Sequence, residues 1–221
     1  MVTWNVLHRI HADNWGEEVA GSWPDEAKRV AAIAQRVGEL TEDVVALQEV
    51  SGDLLAALRE SGRTVHAMRY PRLPRPRVLE SQLADNTEYL VLLVDGPSRE
   101  LDEEAFPTDG GKGALAVDVR GLTVVATHVS WGNKREDQLA RLAQLAPSPA
   151  VLLGDFNADA DTVLASLGES FRAAVLPAGV KTRGQQVIDH VIVHGATVTD
   201  AEVLDADGLS DHSPVRAVIS Y

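Results

Sequence analysis

The sequence predicts an α/β layered domain with a mixed β-sheet. Three observations carry this: short apolar, β-rich runs recur along the chain, helix-periodic stretches lie between them, and polar residues gather where the runs end. The runs cover residues 2–6, 44–50, 88–94, 114–119, 122–129, 150–153, 187–193 and 215–219. Residues 24–40 predict a helix, with Pro24 near its start and Ala27, Val30, Ala31, Ala34 and Val37 at helical spacing. Residues 53–60 predict a shorter one. Asn133 followed by Glu136 resembles a capping box opening a helix over 134–145, with Leu139, Leu142 and Ala143 as its buried stripe. Residues 162–167 predict another. Arg120-Gly121 between two apolar runs predicts a hairpin, so the sheet is mixed rather than purely parallel. Neither a Gly/Ser linker nor a repeat of about 20–50 residues divides the chain, and a single domain over residues 1–221 is expected.

A chain of 221 residues, 45% of them hydrophobic, needs no covalent staples, because it can bury roughly 70% of its unfolded surface. It has no cysteine, which excludes disulfides, thiolate zinc sites and a cysteine nucleophile. No apolar run reaches the ~18 residues of a membrane span, and no basic-then-apolar leader opens the sequence. A cytoplasmic location is expected, although a trimmed leader is compatible with a motif that begins this close to Met1. The net charge of −13 argues against gripping nucleic acid by bulk electrostatics. It suits a small anionic substrate or a local contact with a larger one. Residues 61–79 depart from this balance: five arginines (Arg63, Arg69, Arg72, Arg75, Arg77), three prolines and no acid. Residues 95–109 are acidic and turn-rich and predict a solvated loop.

The chemistry gathers at strand ends. Asn5 follows Val2-Thr3-Trp4, and Gln48-Glu49 closes the second run. His128 closes the run from Leu122, and Asp155 and Asn157 follow Val151-Leu152-Leu153-Gly154. Asp189 follows Val187-Ile188, and Ser210-Asp211-His212 precedes the last run. Asp155 and Asn157, two apart, point the same way in extended backbone. Each residue alone is ordinary turn or cap chemistry. Six such endings in order are hard to explain as loop composition, and the rim of a sheet is where α/β enzymes place their sites.

Thr3-Trp4-Asn5-Val6, Leu47-Gln48-Glu49-Val50, Thr127-His128-Val129, Gly154-Asp155-Phe156-Asn157-Ala158, Ile188-Asp189-His190-Val191 and Ser210-Asp211-His212-Ser213-Pro214 together resemble the endonuclease/exonuclease/phosphatase superfamily, the fold of the pancreatic-type deoxyribonucleases. The resemblance implies a four-layer α/β sandwich, with two mixed sheets face to face and helices outside. It implies metal-dependent cleavage of a phosphoester by an activated water. Glu49 would be the main metal ligand, with Asn5 beside it and Asp211 as a further carboxylate. Asp155 would orient or deprotonate the water, and Asn157 would contact the phosphate. His212, held by Asp189, would stabilise the phosphoryl oxygens, and His128 would contact phosphate or assist the leaving group.

Elementary chemistry supports these residue types. Two unit charges ~4 Å apart repel by ~4 kcal/mol at an effective dielectric of 20, so converging carboxylates exclude a phosphate unless a cation neutralises them. Oxygen ligands without cysteine select Mg2+ or Mn2+. A His–Asp pair fixes one tautomer and favours the imidazolium.

Some positions depart from the family pattern. Strand three is usually small and glycine-rich, whereas Asn86-Thr87-Glu88-Tyr89-Leu90 stands here, and Glu88 reads either as solvent-facing or as a pocket residue. Gln185-Gln186 stands where an arginine often precedes the fifth-motif aspartate. His190 replaces an aromatic residue and is read as structural. His8 and His11, in a loop running to Trp15, read as rim polarity, a second metal site or substrate contacts. Trp15 and Trp131 read as packing or as platforms for a base or sugar ring. Arg72, Arg75 and Arg77 read as a solvated loop or as a positive lip drawing in an anion.

The expected activity is thus a phosphoesterase acting on a small phosphorylated or locally presented substrate, with a DNA or RNA nuclease as the alternative. A non-catalytic binding module and a metal-assisted enzyme on a non-phosphate substrate are the other readings. No membrane partner is expected, and a monomer is.

Overall fold

The computed structural model describes residues 1–77 and 80–221; Val78 and Leu79, which end the arginine-rich segment, lie outside them. Among the described residues two six-stranded sheets form. The first runs β11 (Thr197–Val203), β12 (Val215–Ser220), β1 (Val2–Asn5), β2 (Val44–Ser51), β4 (Glu88–Val94) and β3 (Thr64–Arg69). The second runs β5 (Arg99–Phe106), β6 (Asp109–Val119), β7 (Leu122–His128), β8 (Ala150–Asp155), β10 (Asp189–His194) and β9 (Phe171–Ala173). Each sheet has one parallel pair near its middle, β1–β2 and β7–β8, and antiparallel neighbours elsewhere. Parallel neighbours end at the same rim, so Asn5 and Glu49 leave one sheet where His128 and Asp155 leave the other.

The apolar runs are continuous rather than alternating because both faces of each sheet are covered. Val44, Ala46, Leu90 and Leu92 meet Leu115, Val124, Val151 and Leu153 at the seam between the sheets. One residue out of phase, Val45, Leu47, Val91 and Leu93 face the outer layer, α3 (Glu26–Glu39) and α4 (Gly52–Leu58). Val125, Leu152 and Ile192 likewise pack with α5 (Arg135–Leu145) and α6 (Ala160–Leu167). Two further helices, α1 (Arg9–Trp15) and α2 (Glu18–Ser22), follow β1. The result is the four-layer sandwich, with about 1.5–3 kcal/mol of apolar driving force for each fully buried Leu or Val. The hairpin at Arg120-Gly121 forms, both residues having positive φ (56° and 88°) as a tight two-residue turn requires.

Several elements differ from the sequence expectation. Residues 95–109 are not a loop: β5 pairs with β6 along the edge of the second sheet. Its charged side chains are the composition a solvent-facing edge selects, which removes the hydrophobic signal. The segment from His8 to Trp15 is helical, with His8 as N-cap accepting from the Ile10 amide and Gly16 closing it at φ 68°. The capping box at Asn133 does not form. A 3₁₀ turn over Gly132–Lys134 already takes the Arg135 amide onto the Gly132 carbonyl, and Lys134 at the cap makes no side-chain bond. In α3 the buried face is Glu26, Arg29, Ile33 and Val37, whereas Ala27 and Ala31 are exposed. The helix turns two charged residues inward because Arg29 donates to the Val6, Leu7 and Leu209 carbonyls below the site, and Glu26 accepts from Arg29 and Arg9. The fifth motif's strand begins at Asp189, so this residue opens a strand rather than closing one.

Candidate active site

The rim where the two parallel pairs end floors a cavity of about 1020 Å³. Glu49 reaches it through a bulge: the β2–β4 register shifts between Leu47 and Val50, and Glu49 takes a left-handed φ of 59°. An αL non-glycine residue is held only where its surroundings over-determine it. Here both carboxylate oxygens are held, Oε2 accepting from the His8 amide at 3.1 Å and Oε1 from Asn5 Nδ2 at 3.2 Å. The same Asn5 Nδ2 donates to Asp155 Oδ2 at 3.2 Å, so one amide bridges the carboxylates of the two sheets. Asn5 was expected as a metal ligand beside Glu49. Its oxygen instead accepts the Leu7 amide at 3.0 Å, and the group facing the carboxylates is its donor. Asn5 therefore holds the acidic pair rather than adding to it.

On the second sheet Asp155 Oδ1 accepts the Asn157 amide at 2.9 Å, and Oδ2 lies 3.3 Å from His128 Nε2 and 3.9 Å from His212 Nε2. Asn157, at φ 50°, anchors its side chain on the Val129 carbonyl at 2.8 Å. Asp189 is fully buried and holds His212 Nδ1 at 2.9 Å, while its own amide donates to Thr182 Oγ1. The Trp4 indole fixes the His212 carbonyl at 3.0 Å. Asp155, Asp189 and His212 offer three ligand atoms within 4.8 Å of one another. Since both Asp189 oxygens lie on Nδ1, the trio is arranged as a carboxylate–imidazole pair facing a second carboxylate.

The local charges follow from this packing. Burial opposes ionisation of Glu49, but His11, His128, Lys112 and the His8 amide outweigh it and hold the carboxyl well below the usual range. Burial is likewise overcome at Asp155 by His128, His212 and Lys112. At His212 desolvation is outweighed by Asp189 and Asp155, which push the imidazole up to about 9. Desolvation also raises Asp189 above its usual value.

The remaining expected residues divide. His11, Trp131, Arg72, Arg75, Arg77 and Asp211 line the cavity, as does Trp15. Trp15 and Trp131 are 68% and 52% exposed, too open to be packing residues, and Arg77 stacks over the Trp15 ring at 4.8 Å. Arg72 is not a free lip. It lies across Gly111, where a Cβ would meet its guanidinium at 2.1 Å, and it bonds Asp109 at 2.7 Å. Arg63 belongs to the opposite end of the sheet, beside Asp95, because Thr64 pairs with Val94. Glu88, weighed as a solvent-facing residue or a substrate contact, is neither. It is 1% exposed and is bonded to His11 Nε2 at 3.1 Å, so a substrate cannot reach it. His8 is buried with Nε2 unpartnered, and burial lowers its pKa. Asp211 Oδ2 accepts from Arg183 Nε at 2.7 Å, while its Oδ1 has no hydrogen-bond partner among the described residues. His190 bonds the Ala158 carbonyl at 2.8 Å.

Three residues escaped the sequence reading. Lys112 lies against the His128 ring, 3.1 Å from Nδ1, and its setting in Gly110-Gly111-Lys112-Gly113 was a usable signal. Arg183 brings a guanidinium to the cavity wall six residues before Asp189, through the tight Arg183–Gln186 turn, although no arginine stands immediately before that aspartate. Arg29, 2% exposed, bonds Glu26 and the carbonyls of Val6, Leu7 and Leu209, tying together the segments that carry Asn5 and His212.

Fold and site together define a four-layer α/β sandwich with an acid- and histidine-lined cavity at one rim of its sheets. Residues 2–212 match the Endonuclease/Exonuclease/phosphatase family, and the chain belongs to it. Members of that family are hydrolases of phosphoester bonds. The structure is similar to an endonuclease/exonuclease/phosphatase from Bacteroides vulgatus (TM-score 0.71, 19% identity, covering 99% of this chain and 97% of that one). It is also similar to the human Nocturnin catalytic domain with bound sulfate (0.70, 18%, 100% and 94%) and to D. rerio TDP2 complexed with single-strand DNA product (0.67, 15%, 100% and 98%). No curated protein sequence matches the chain. No helix among the described residues is long and apolar enough to cross a membrane.

Proposed function

We propose that the protein is a divalent-metal-dependent phosphoesterase that cleaves a phosphomono- or diester of a small or locally presented substrate with water. The observation that carries this is the pair Glu49–Asp155, two carboxylates held in ionised form on either side of one amide at the floor of an open cavity. Such a pair opposes an anionic substrate unless a cation intervenes. The donor set fits Mg2+ or Mn2+: carboxylate oxygens, with no thiolate in the chain. Glu49 would hold the ion, since its side chain opens onto the cavity while Asp189 is fully buried. The chemistry an ion supplies there when bound is Lewis-acid stabilisation of phosphoryl and departing oxygens.

The chain's own groups do the rest. Asp155, kept well below the usual carboxylate range, is a weak base, and its task is to align the attacking water. His212, protonated at neutral pH through Asp189, donates to the phosphoryl oxygens as charge builds in the transition state. The Asn157 amide and His128, with Lys112 behind it, complete the donor side. The family match over residues 2–212 supports reading the chain as one domain.

The test is release of nitrophenolate from bis-(p-nitrophenyl) phosphate in magnesium, with loss on chelation and inhibition by vanadate. Full turnover without divalent ions would overturn the reading. A nuclease is the second reading, favoured by the two exposed tryptophans and by Arg75 and Arg77 on the cavity wall. Cleavage of single-stranded oligonucleotides at a kcat/KM above that for nitrophenyl esters would establish it.

A further inference from the structure

We infer that Trp15, backed by Arg77 and set in place by Asn14, is a subsite that stacks a flat ring of the substrate, so that the phosphoester cleaved carries a nucleoside; this deepens the phosphoesterase reading above and rests on it. Three residues from two segments assemble the subsite. The Arg77 guanidinium lies over the Trp15 indole, 4.8 Å from the ring centroid. The Asn14 side chain fixes that approach: Nδ2 donates to the Arg75 carbonyl at 3.0 Å, and Oδ1 accepts from the Arg77 amide at 2.8 Å. Those two bonds grip the chain on either side of Pro76, whose φ is locked by its ring and which has no amide to donate. Pro71 and Pro74 stiffen the segment in the same way, and the Arg72 amide ties its other end to the Gly110 carbonyl at 3.0 Å. A segment held at both ends and short of free torsions presents its guanidinium already ordered, so a ligand need not order it on arrival.

The position of the indole selects the ligand. Trp15 stands four residues after His11 in α1, hence on the same helix face and about 6 Å further along the axis. Both line the cavity that holds Glu49 and Asp155. A ring on Trp15 is therefore set off from the carboxylates by roughly one helical turn, a gap that a sugar between phosphate and base fills. Although Arg77 lies over it, the indole is still 68% exposed, and that apolar surface faces water until a ligand covers it. A flat π-system covers it best, because stacking buries both rings at once and the guanidinium adds its own attraction. An aliphatic ester has no such face to offer. Trp131, 52% exposed, has no cation over its ring among the described residues, so the built subsite is the one at Trp15.

The experiment compares two p-nitrophenyl phosphodiesters in magnesium that share the scissile bond and the leaving group. One is esterified to the primary hydroxyl of thymidine, the other to that of abasic deoxyribose. Stacking a base on an aromatic side chain is worth about 5-fold or more. Wild type should therefore favour the thymidine ester by at least ~5-fold in kcat/KM, with the difference carried by KM. Trp15→Leu and Asn14→Ala should each remove most of that preference, and Trp15→Phe should keep it. Thymidine monophosphate should also quench tryptophan emission in wild type and not in Trp15→Leu, a readout independent of turnover. Inhibition by oligothymidylates that tightens with length assigns the nucleoside to a strand, and inhibition no tighter than by the monophosphate assigns it to a free nucleotide; either upholds the subsite. Equal kcat/KM for the two esters in wild type overturns the assignment, as does a preference that survives Trp15→Leu or falls further in Trp131→Leu. A wild type that hydrolyses neither ester removes the phosphoesterase reading instead, and the quenching then decides the ring-binding subsite by itself.

Discussion

In one sheet the parallel pair ends in an amide and a carboxylate, Asn5 and Glu49; in the other it ends in an imidazole and a carboxylate, His128 and Asp155. The antiparallel strand beside each pair then opens with a buried acid that holds a histidine. The strand pattern is the same, yet the two halves differ in access. The Asp189–His212 pair is almost sealed, its imidazole 4% exposed, while the His11 ring of the Glu88 pair is 23% exposed. Glu49 is likewise more open than Asp155, 13% against 3%. One half is built to receive something from the cavity, and the other to hold a fixed charge against it. A similar strand pattern thus gives asymmetric chemistry through side-chain identity and exposure.

That contrast can be broken most severely by removing the cation. Chelation should abolish turnover, and Glu49→Gln should raise the magnesium needed for half-maximal rate far more than Asp155→Asn does, as read from metal titrations of kcat. Next in size is Asp189→Asn, which leaves His212 without its carboxylate: kcat should fall about 10³-fold with KM little changed. Arg29→Ala touches both halves, because Arg29 ties the segment of Asn5 to that of His212. It strands buried Glu26 and three carbonyls, and should lower stability by about 3–5 kcal/mol in urea unfolding, with the Glu26→Gln/Arg29→Met pair losing less.

A pH profile sharpens the comparison further. The folded His212 pKa of about 9 lies above its unfolded value near ~6.5. Its protonation therefore stabilises the fold fully below about pH 6.5, and that contribution disappears as pH rises through about 9. Activity that uses the imidazolium should fall along the same limb, and Asp189→Asn should move the limb to lower pH. The smallest effect is expected at the cavity wall. Replacing Arg72, Arg75 and Arg77 together by Ala should raise KM several-fold and flatten its salt dependence, leaving kcat nearly intact.

Much of this arrangement was legible before any coordinates. A strand covered on both faces writes itself as an unbroken apolar run, so the polar residue that ends it is conspicuous. Asn5, Glu49, His128 and Asp155 were visible for that reason, and His212 by its place just before the last run. The misses have a common physical cause. β5 faces solvent and carries charges, so it has no apolar signature. The inward turn of Arg29, the pairing of Glu88 with His11 and the arrival of Arg183 are contacts between residues far apart in sequence. No local spacing encodes them. The donor face of Asn5 and the left-handed backbone of Glu49 are decided by neighbours in the same way.

A single side-chain amide, Asn5, stitches the two halves together by donating to an acid on each. Whatever lets one slab creep past the other, even by a fraction of an ångström, therefore loosens that stitch and spreads the two acids. Trimming methyl groups from the apolar filling at Leu92 or Val151, out of reach of any substrate, should on this account slow the reaction more than the accompanying loss of fold stability would suggest.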